Sequence, residues 1–240
     1  MQEKIRIYTA AALFSGRETF FNINLANLLE ERGYLTDLPQ KDGFEFGNLE
    51  KFLNEKLSPE EISSAIKNII YFLDVGFFIP RSDIIVSNLD EPIDEGVAVE
   101  ITYGRTMGKY VVGFRTDVRS PYGNISDSFG GMHFFPAFQC NKFILHSMRC
   151  KNIQEADEQF KSLADKIDDC IQGARIIPRR KLDNYVSENP YVLNIISGAN
   201  ILFKGIDEIH SEEGIIEICN RYINNKDELK ELISAQVLLY

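Results

Sequence analysis

Five acidic residues within eleven positions form a group whose residue types and spacing would suit a catalytic site. Asp90, Glu91, Asp94, Glu95 and Glu100 occur with no basic residue among them. Carboxylates crowded in this way raise one another's pKa values, which acid–base and nucleophilic sites exploit. The alternative is a solvated acidic loop whose side chains cap the helix that follows. Spacing alone leaves both interpretations open.

The elements that must position these acids follow from the hydrophobic pattern, which alternates short β-branched runs with helical stretches. We predict strands at 4–9, 34–38, 83–89, 110–114 and 142–147, and helices at 17–32, 58–73, 95–107 and 153–174. The signal Ser-Pro-Glu-Glu at 58–61 opens the second helix. The last helix is predicted to place on one face Phe160, Leu163, Ala164, Ile167 and Ile171. This order predicts an α/β fold, a three-layer α/β/α architecture with a five-stranded, mainly parallel sheet of the flavodoxin-like or Rossmann-like kind. Ligands of such sheets bind beyond the carboxyl ends of the strands, where Tyr8 and the acidic cluster lie.

The domain organisation is predicted from a change in pattern after Pro178. We expect a functional domain at 1–175 and a mainly helical C-terminal extension at 176–240. Within the first domain, the polar stretch 39–56 and the Gly-, Ser- and Phe-rich stretch 119–139 are predicted to be loops. In the extension, residues 211–236 predict two short helices, and the stretch before them has no clear period.

Composition restricts the function classes. The 240 residues contain 26 Lys plus Arg against 36 Asp plus Glu, a net charge of −10, which does not suit a nucleic-acid polymer as partner. Apolar runs fall short of the roughly 20 residues of a membrane span, and the start of the sequence has no signal-peptide pattern. The four cysteines are far apart without a C-x-x-C motif, so neither zinc nor a disulfide framework is suggested. We expect a cytoplasmic protein that handles a small molecule.

Several segments, in order, resemble the nucleoside 2-deoxyribosyltransferase family. The most specific is D-E-G-V-A-V-E at 94–100, which follows S-D-I-I-V-S-N-L-D at 82–90. The others are I-Y-T-A-A-A-L-F-S-G-R-E at 7–18, L-A-N-L-L-E-E-R-G-Y at 25–34, L-P-Q-K-D-G at 38–43, G-K-Y-V-V-G at 108–113 and R-T-D-V-R at 115–119. The resemblance covers roughly residues 5–120.

The resemblance implies three catalytic residues. Glu100 matches the nucleophile that attacks C1′ of the deoxyribose to form a glycosyl-enzyme ester, a route that retains configuration overall. Tyr8 matches the tyrosine that holds this carboxylate by a hydrogen bond. Asp94 matches an acid that contacts the base and can protonate its leaving nitrogen.

The resemblance also implies substrate contacts. Asp74 and Gln40 match positions that contact the base, and Phe14 matches a residue that lines the pocket. In the family a neighbouring subunit supplies an Asn-x-Met or Ser-x-Met element that holds the 5′ end of the sugar. Here Met132 is present, Gly130 stands two residues before it, and Asn124 lies further upstream. A homo-oligomer is therefore expected.

The function implied is transfer of 2-deoxyribose between nucleobases, with nucleosides and free bases as partners and without a metal or other cofactor. One alternative is an N-glycoside hydrolase of nucleosides or nucleoside 5′-monophosphates. In that case Arg17 and the helix start at Ser15-Gly16 would receive the phosphate. A second alternative is a non-catalytic nucleotide-binding module. The joint presence of Tyr8, Asp94 and Glu100 argues against it, because binding alone needs no oriented nucleophile.

Overall fold

The structure is a computed structural model, and it describes residues 4–44, 46–176 and 188–233. The segment that follows the predicted domain boundary, 177–187, and the end of the last predicted helix at 236 lie outside these ranges. The described residues form two compact units. The first consists of 4–38 and 81–176, and the second of 39–44, 46–80 and 188–233.

The first unit is built on a sheet of five strands. They are β1 (Arg6–Ala10), β2 (Leu35–Asp37), β3 (Ile84–Asn88), β4 (Tyr110–Arg115) and β5 (Lys142–Leu145). Their spatial order is β2-β1-β3-β4-β5, and every neighbouring pair is parallel. Helices cover both faces, so the predicted three-layer α/β/α fold is confirmed.

One face of the sheet packs against α1 (Gly16–Glu31) and α8 (Ile153–Gln172). Its core includes Ile7, Val86 and Val112 from the strands and Leu25 and Leu29 from α1. The face predicted for α8 is confirmed, since its buried residues are Phe160, Leu163, Ala164, Ile167 and Ile171. The predicted end of α1 is also confirmed: Gly33 has φ of +93°, a conformation that favours glycine.

The opposite face of the sheet carries α6 (Glu95–Thr106). Successive side chains of a strand point to opposite faces. Ile7 therefore packs toward α1 and α8, and Tyr8, which is fully buried, points toward α6.

The second unit is helical. Its first stretch contains α2 (Pro39–Asp42), α3 (Phe46–Leu53), α4 (Pro59–Tyr71) and a π-helical segment (Phe72–Phe78), and the short helix α5 (Ile79–Arg81) then leads to β3. Its second stretch contains α9 (Pro190–Phe203), α10 (Glu212–Asn224) and α11 (Lys226–Ile233). The prediction of a loop over 39–56 was wrong, because α2 and α3 lie there. The two observed units also differ from the predicted domains, which meet at residue 175, because residues 39–80 belong to the same unit as the C-terminal helices.

Close helix packing explains why the helix Pro59–Arg81 is so apolar. A Cβ atom at Gly198 of α9 would lie 2.1 Å from Cε1 of Phe72, and one at Gly76 would lie 2.8 Å from the Cβ of Ala199. This helix is long and apolar enough to cross a membrane by length and composition, but half of its most apolar window is buried inside the protein. Burial of that kind is typical of a core helix.

The start of α4 is the predicted one. It is a capping box, in which the side chains of Ser58 and Glu61 each accept a hydrogen bond from the other residue's backbone N–H.

Candidate active site

A tyrosine–glutamate pair lies between the sheet and α6. The Tyr8 hydroxyl donates a hydrogen bond to Oε1 of Glu100 at 2.6 Å, across 92 positions of sequence. Glu100 lies in the second turn of α6 and is partly exposed, whereas the tyrosine is completely buried. The buried tyrosine thus orients the carboxylate of Glu100, which solvent can still reach. β1 itself continues one residue past its predicted end, to Ala10.

Three of the five clustered carboxylates make different contacts. Asp90 accepts hydrogen bonds from the backbone N–H and hydroxyl of Thr116, both at 2.6 Å, and from the N–H of Asp117 at 3.0 Å. Asp94 is the N-cap of α6 and accepts from the N–H of Val97 at 3.1 Å. The helix-capping interpretation therefore holds for Asp94, and Glu100 forms the tyrosine pair.

A buried arginine, which sequence analysis did not single out, connects the loops at this edge. Arg115 ends β4, and its guanidinium donates to Oδ1 of Asp117, to the carbonyl of Arg119 at 2.6 Å and to the carbonyls of residues 129 and 130 at 3.2 and 2.9 Å. Asp117 also pairs with Arg119 at 3.3 Å, but Arg115 supplies more of the bonds. The signal in the sequence was a charged residue at the end of the apolar run Y-V-V-G-F.

A cleft of about 570 Å³ opens among the loops that follow β1, β3 and β4. Its aromatic lining includes Phe21 of α1 and Phe160 of α8, whose ring centroids are 4.8 Å apart, and the exposed ring of Phe20. Acids dominate its charged lining, which consists of Arg17, Arg119, Glu18, Asp90, Glu91, Asp94 and Asp117. Tyr8 and Glu100 do not line it. Asp94 does, and it also begins the helix that carries Glu100.

The cleft wall contains an unsatisfied carboxylate. Glu91 is 8% exposed, and its Oε1 is buried without a hydrogen-bond donor among the described residues. Its backbone N–H donates to Oδ2 of Asp117 at 3.1 Å, which holds it to the Arg115 network. A buried polar atom without a partner is costly, so this residue is notable although sequence analysis gave it no individual role.

The predicted residues of the first loop lie near the start of α1. Phe14 is 73% exposed, so it does not pack in the core. Arg17 is exposed and lines the cleft. Beside the helix start, a carboxylate oxygen of Glu18 accepts the N–H of Phe14, the residue before the N-cap Ser15, at 2.9 Å.

Asn124 and Met132 lie in contrasting surroundings. Asn124 is exposed and its side-chain oxygen accepts the N–H of Ser126 at 2.9 Å, a local turn. Met132 is 3% exposed and leads into α7 (Phe134–Gln139), a helix inside the stretch predicted as a loop. His133 caps α7 by accepting the N–H of Phe135 at 3.2 Å.

Gln40 and Asp74 both belong to the helical unit. Gln40 lies on α2, and Asp74 lies in the π-helical segment, a rare conformation that is frequent at functional sites. Oδ1 of Asp74 is buried and has no hydrogen-bond partner among the described residues. Burial raises the pKa of Asp74 from its ordinary value of 3.8 to about 7. The carboxyl is therefore partly protonated near neutral pH.

Asp74 should make the stability of the protein fall as pH rises from about 4 to about 7. In this range the unfolded chain releases the proton that the folded protein retains, because the folded pKa is the higher one. Denaturant unfolding of wild type and Asp74→Asn at several pH values will measure this, and the variant should lose stability less steeply. The exposed Asp207, replaced by Asn, is the control. Equal slopes for wild type and Asp74→Asn would contradict the assignment.

The Cys140 thiol, which follows α7 and is not in the cleft lining, stays protonated at neutral pH because burial raises its pKa to about 12. Across residues 4–44, 46–176 and 188–233, no group of three or more His, Cys, Asp and Glu side chains could hold a metal ion.

Comparison with known proteins identifies the family. The model of the nucleoside 2-deoxyribosyltransferase family matches residues 7–160, well over half of the chain. The parallel sheet, the Tyr8–Glu100 pair and the loops beyond the strands all lie within that match. The chain belongs to the nucleoside 2-deoxyribosyltransferase family.

Solved structures with similar folds have low sequence identity to this chain. A conserved protein from Enterococcus faecalis V583 is 22% identical, with 67% of this chain and 99% of that chain covered and a TM-score of 0.41. A 2-deoxyribosyltransferase from Bacillus psychrosaccharolyticus is 17% identical, with 63% and 90% covered and a TM-score of 0.37. The CMP N-glycosidase BcmB of Clostridium botulinum is 16% identical, with 66% and 98% covered and a TM-score of 0.35. No curated protein sequence matches the chain.

Proposed function

We propose that the protein is a cytoplasmic enzyme that transfers 2-deoxyribose from one nucleobase to another through a covalent intermediate on Glu100. The observation that carries the proposal is the 2.6 Å hydrogen bond from Tyr8 to Glu100. A carboxylate held by a buried partner, yet reachable from solvent, has the properties of a nucleophile at an oxocarbenium-like centre. Family membership supports the same chemistry.

The proposed reaction has two displacements at C1′. In the first, a carboxylate oxygen of Glu100 forms an ester bond to C1′ while the bond from C1′ to the base nitrogen breaks. The bonding electrons go to the base, and Asp94 delivers the proton that neutralises it. In the second, a nitrogen of the incoming base displaces Glu100, and Asp94 accepts the proton. Tyr8 orients the nucleophile in both steps.

We assign the remaining contacts from the family resemblance. Asp74 handles base protons, and its pKa of about 7 suits an acid that both donates and accepts near neutral pH. Gln40 contacts the base, Phe14 stacks at the pocket, and Met132 and Asn124 serve the 5′ end of the sugar. The exposure of Phe14 leaves its ring available to a ligand.

Incubation with deoxyinosine, with and without adenine, tests the proposal, with products separated by chromatography. Transfer yields deoxyadenosine when adenine is present. Hypoxanthine and deoxyribose in both reactions would instead identify an N-glycoside hydrolase. No product in either reaction would favour a binding module. Glu100→Gln protein, treated in parallel, controls for contaminating enzymes.

A 5′-phosphate should lower substrate use by about tenfold or more. The dianion would approach a cleft rich in carboxylates, one of which, Glu18, lies in the first turn of α1. The measurement compares kcat/KM for deoxyinosine and its 5′-monophosphate. A higher value for the monophosphate, abolished in Arg17→Ala, would contradict the prediction and support the hydrolase alternative.

The protein should assemble as a homo-oligomer through an aromatic surface around α7. Tyr122, Phe134, Phe135 and Phe138 are each 47–65% exposed, and exposed apolar surfaces of this kind mark interaction sites. Sedimentation at micromolar concentration should give more than one subunit, and Phe135→Asp should weaken the assembly. A fully active monomer would refute the prediction.

A further inference from the structure

Asp90 ties the loop before α6 to the segment that follows β4. Its Oδ1 accepts the backbone N–H groups of Thr116 and Asp117 at 2.6 and 3.0 Å, and its Oδ2 accepts the Thr116 hydroxyl at 2.6 Å. The tie is reciprocal, because Oδ2 of Asp117 accepts the N–H of Glu91 at 3.1 Å. Hydrogen bonds across 26 or 27 positions of sequence therefore join two neighbouring loops at the carboxyl edge of the sheet.

The same loop is anchored to the strands where it begins. The N–H of Leu89 donates to the carbonyl of Phe114 on β4 at 2.9 Å, and the N–H of Asp90 donates to the side-chain oxygen of Asn88 at 2.9 Å. Both carboxylate oxygens of Asp90 already accept hydrogen bonds from protein donors, so this residue is poorly suited to move a proton itself. Its contacts instead fix the path of the chain as it leaves β3.

Asp94 ends this loop, four residues after Asp90. Its Oδ1 caps α6 by accepting the N–H of Val97 at 3.1 Å, which leaves Oδ2 for the leaving base in the reaction proposed above. The direction of Oδ2 therefore depends on where the loop delivers the chain to the helix. Asp90, Asp94 and Thr116 all line the 570 Å³ cleft, so the anchor and the proposed acid belong to one wall.

Glu100 depends less on this loop. It lies ten residues after Asp90, and the Tyr8 hydroxyl holds it at 2.6 Å from another strand of the sheet. A shift of the loop should thus move Asp94 more than Glu100. Misplacement of a catalytic group by ~1 Å can cost ~10²-fold in rate, so proton delivery should suffer while nucleophilic attack continues.

We propose that Asp90 is a positioning residue of the reaction: it holds the loop 90–94 so that Asp94 delivers its proton to the departing base. This inference rests on the proposed function, which gives Asp94 the role of the acid. Asp90 acts through its hydrogen bonds to Thr116 and Asp117, and not as an acid.

Two sugar donors that differ in their need for a proton can test the proposal. Hypoxanthine must gain a proton as it leaves deoxyinosine, whereas the base of 7-methyl-2′-deoxyinosine already carries a positive charge and leaves without one. Excess protein is mixed with each donor in the absence of an acceptor base and quenched in denaturant. Chromatography then gives the rate of base release, corrected for the uncatalysed reaction. This single turnover isolates the first displacement.

Asp90→Asn should slow base release from deoxyinosine about 10- to 100-fold, and from the methylated donor less than about threefold. The reason is that the amide nitrogen of Asn is itself a donor, so the side chain cannot accept all the hydrogen bonds that Asp90 accepts. Asp94→Asn should show the same selectivity with a loss at least as large. A purely structural role would slow both donors alike.

Two further variants control for charge and for folding. Glu95→Gln removes a negative charge from the same segment, but Glu95 is exposed, so it should change neither rate by more than about twofold. Thr116→Val removes the hydroxyl donor and keeps the backbone N–H. It should slow deoxyinosine selectively by about threefold to tenfold, and it replaces Asp90→Asn if circular dichroism shows that variant to be unfolded.

The outcomes separate this inference from the proposed function. Equal losses with both donors, or no selective loss in Asp90→Asn and Thr116→Val, would overturn the role of Asp90 while transfer by wild type stands. If wild type releases base but does not glycosylate added adenine, transfer is wrong, and a selective loss still supports the positioning role. If wild type releases no base from either donor, both fail.

Discussion

Replacing Glu100 by Gln should reduce turnover by at least ~10³-fold while the protein keeps its fold, the scale of loss expected when a covalent catalyst is removed. The amide retains the shape of the side chain and can still accept the 2.6 Å hydrogen bond from Tyr8. It has no negative charge with which to attack C1′, so the two-step route closes. The measurement is the initial rate of base exchange, with circular dichroism as the check on folding.

Tyr8→Phe provides a graded comparison for this prediction. It removes one hydrogen bond to a charged group, a net effect of about 1–3 kcal/mol, so its loss of rate should be smaller. Mass spectrometry of wild-type protein quenched with donor alone should find a deoxyribosyl adduct on the peptide that contains Glu100. An adduct elsewhere, or near-normal exchange by Glu100→Gln, would show that the nucleophile is a different residue.

Arg115→Met should lower the free energy of unfolding by about 3 kcal/mol, in the range for loss of one partner from a buried ion pair. The guanidinium is 1% exposed and donates to Asp117 and to three backbone carbonyls. The variant removes the guanidinium donor from the carbonyls of residues 129 and 130 and one of the donors from Asp117, which Arg119 and the N–H of Glu91 still contact. Urea denaturation measures the change. Limited proteolysis should also cut the 119–131 segment faster than in wild type.

Arg119→Met is the matched control. Arg119 binds the same aspartate, but its side chain is 57% exposed and its hydrogen bond is 3.3 Å long. Exposed ion pairs contribute about 0–1 kcal/mol, so this variant should stay within that range. Similar small losses for both variants would show that Arg115 does not organise the loops.

The glycines of the same segment support this view of a fixed loop. Gly130 and Gly131 have φ of +65° and +73°, and a Cβ atom at Gly131 would lie 2.5 Å from the Cβ of Ser120. Because residue 131 has no side chain, the backbone can pass close to Ser120 at this point. Arg115 donates a hydrogen bond to the carbonyl of the neighbouring Gly130.

Much of the sheet unit was determined by local sequence. The apolar runs at 83–89 and 110–114 correspond to β3 (Ile84–Asn88) and β4 (Tyr110–Arg115), because strands buried on both faces need continuous apolar residues. Regular spacing of apolar residues predicted the buried face of α8, and the Ser-Pro-Glu-Glu signal predicted the start of α4. The pair of Glu100 with Tyr8, which the structure contains, was implied by the family resemblance and not by local sequence.

The helical unit could not be predicted in the same way. α3 has glycine within it and polar residues around it, and its buried residues are Leu49 and Leu53. α9 is apolar on most sides, so it has no clear period, and it is a helix because close neighbours such as Phe72 cover it. Tertiary packing stabilises such helices more than propensity does.

The sequence by itself determined the parallel sheet, its strands and the acidic motif at its edge, because each depends on residues close together in the chain. The tertiary structure alone decided what each acid does. Asp90 binds a backbone 26 positions away, Glu91 is buried in a cleft wall, and Glu100 meets a tyrosine 92 positions away. What a carboxylate contacts depends on its burial and on the hydrogen-bond donors around it, and here distant loops and strands supply both.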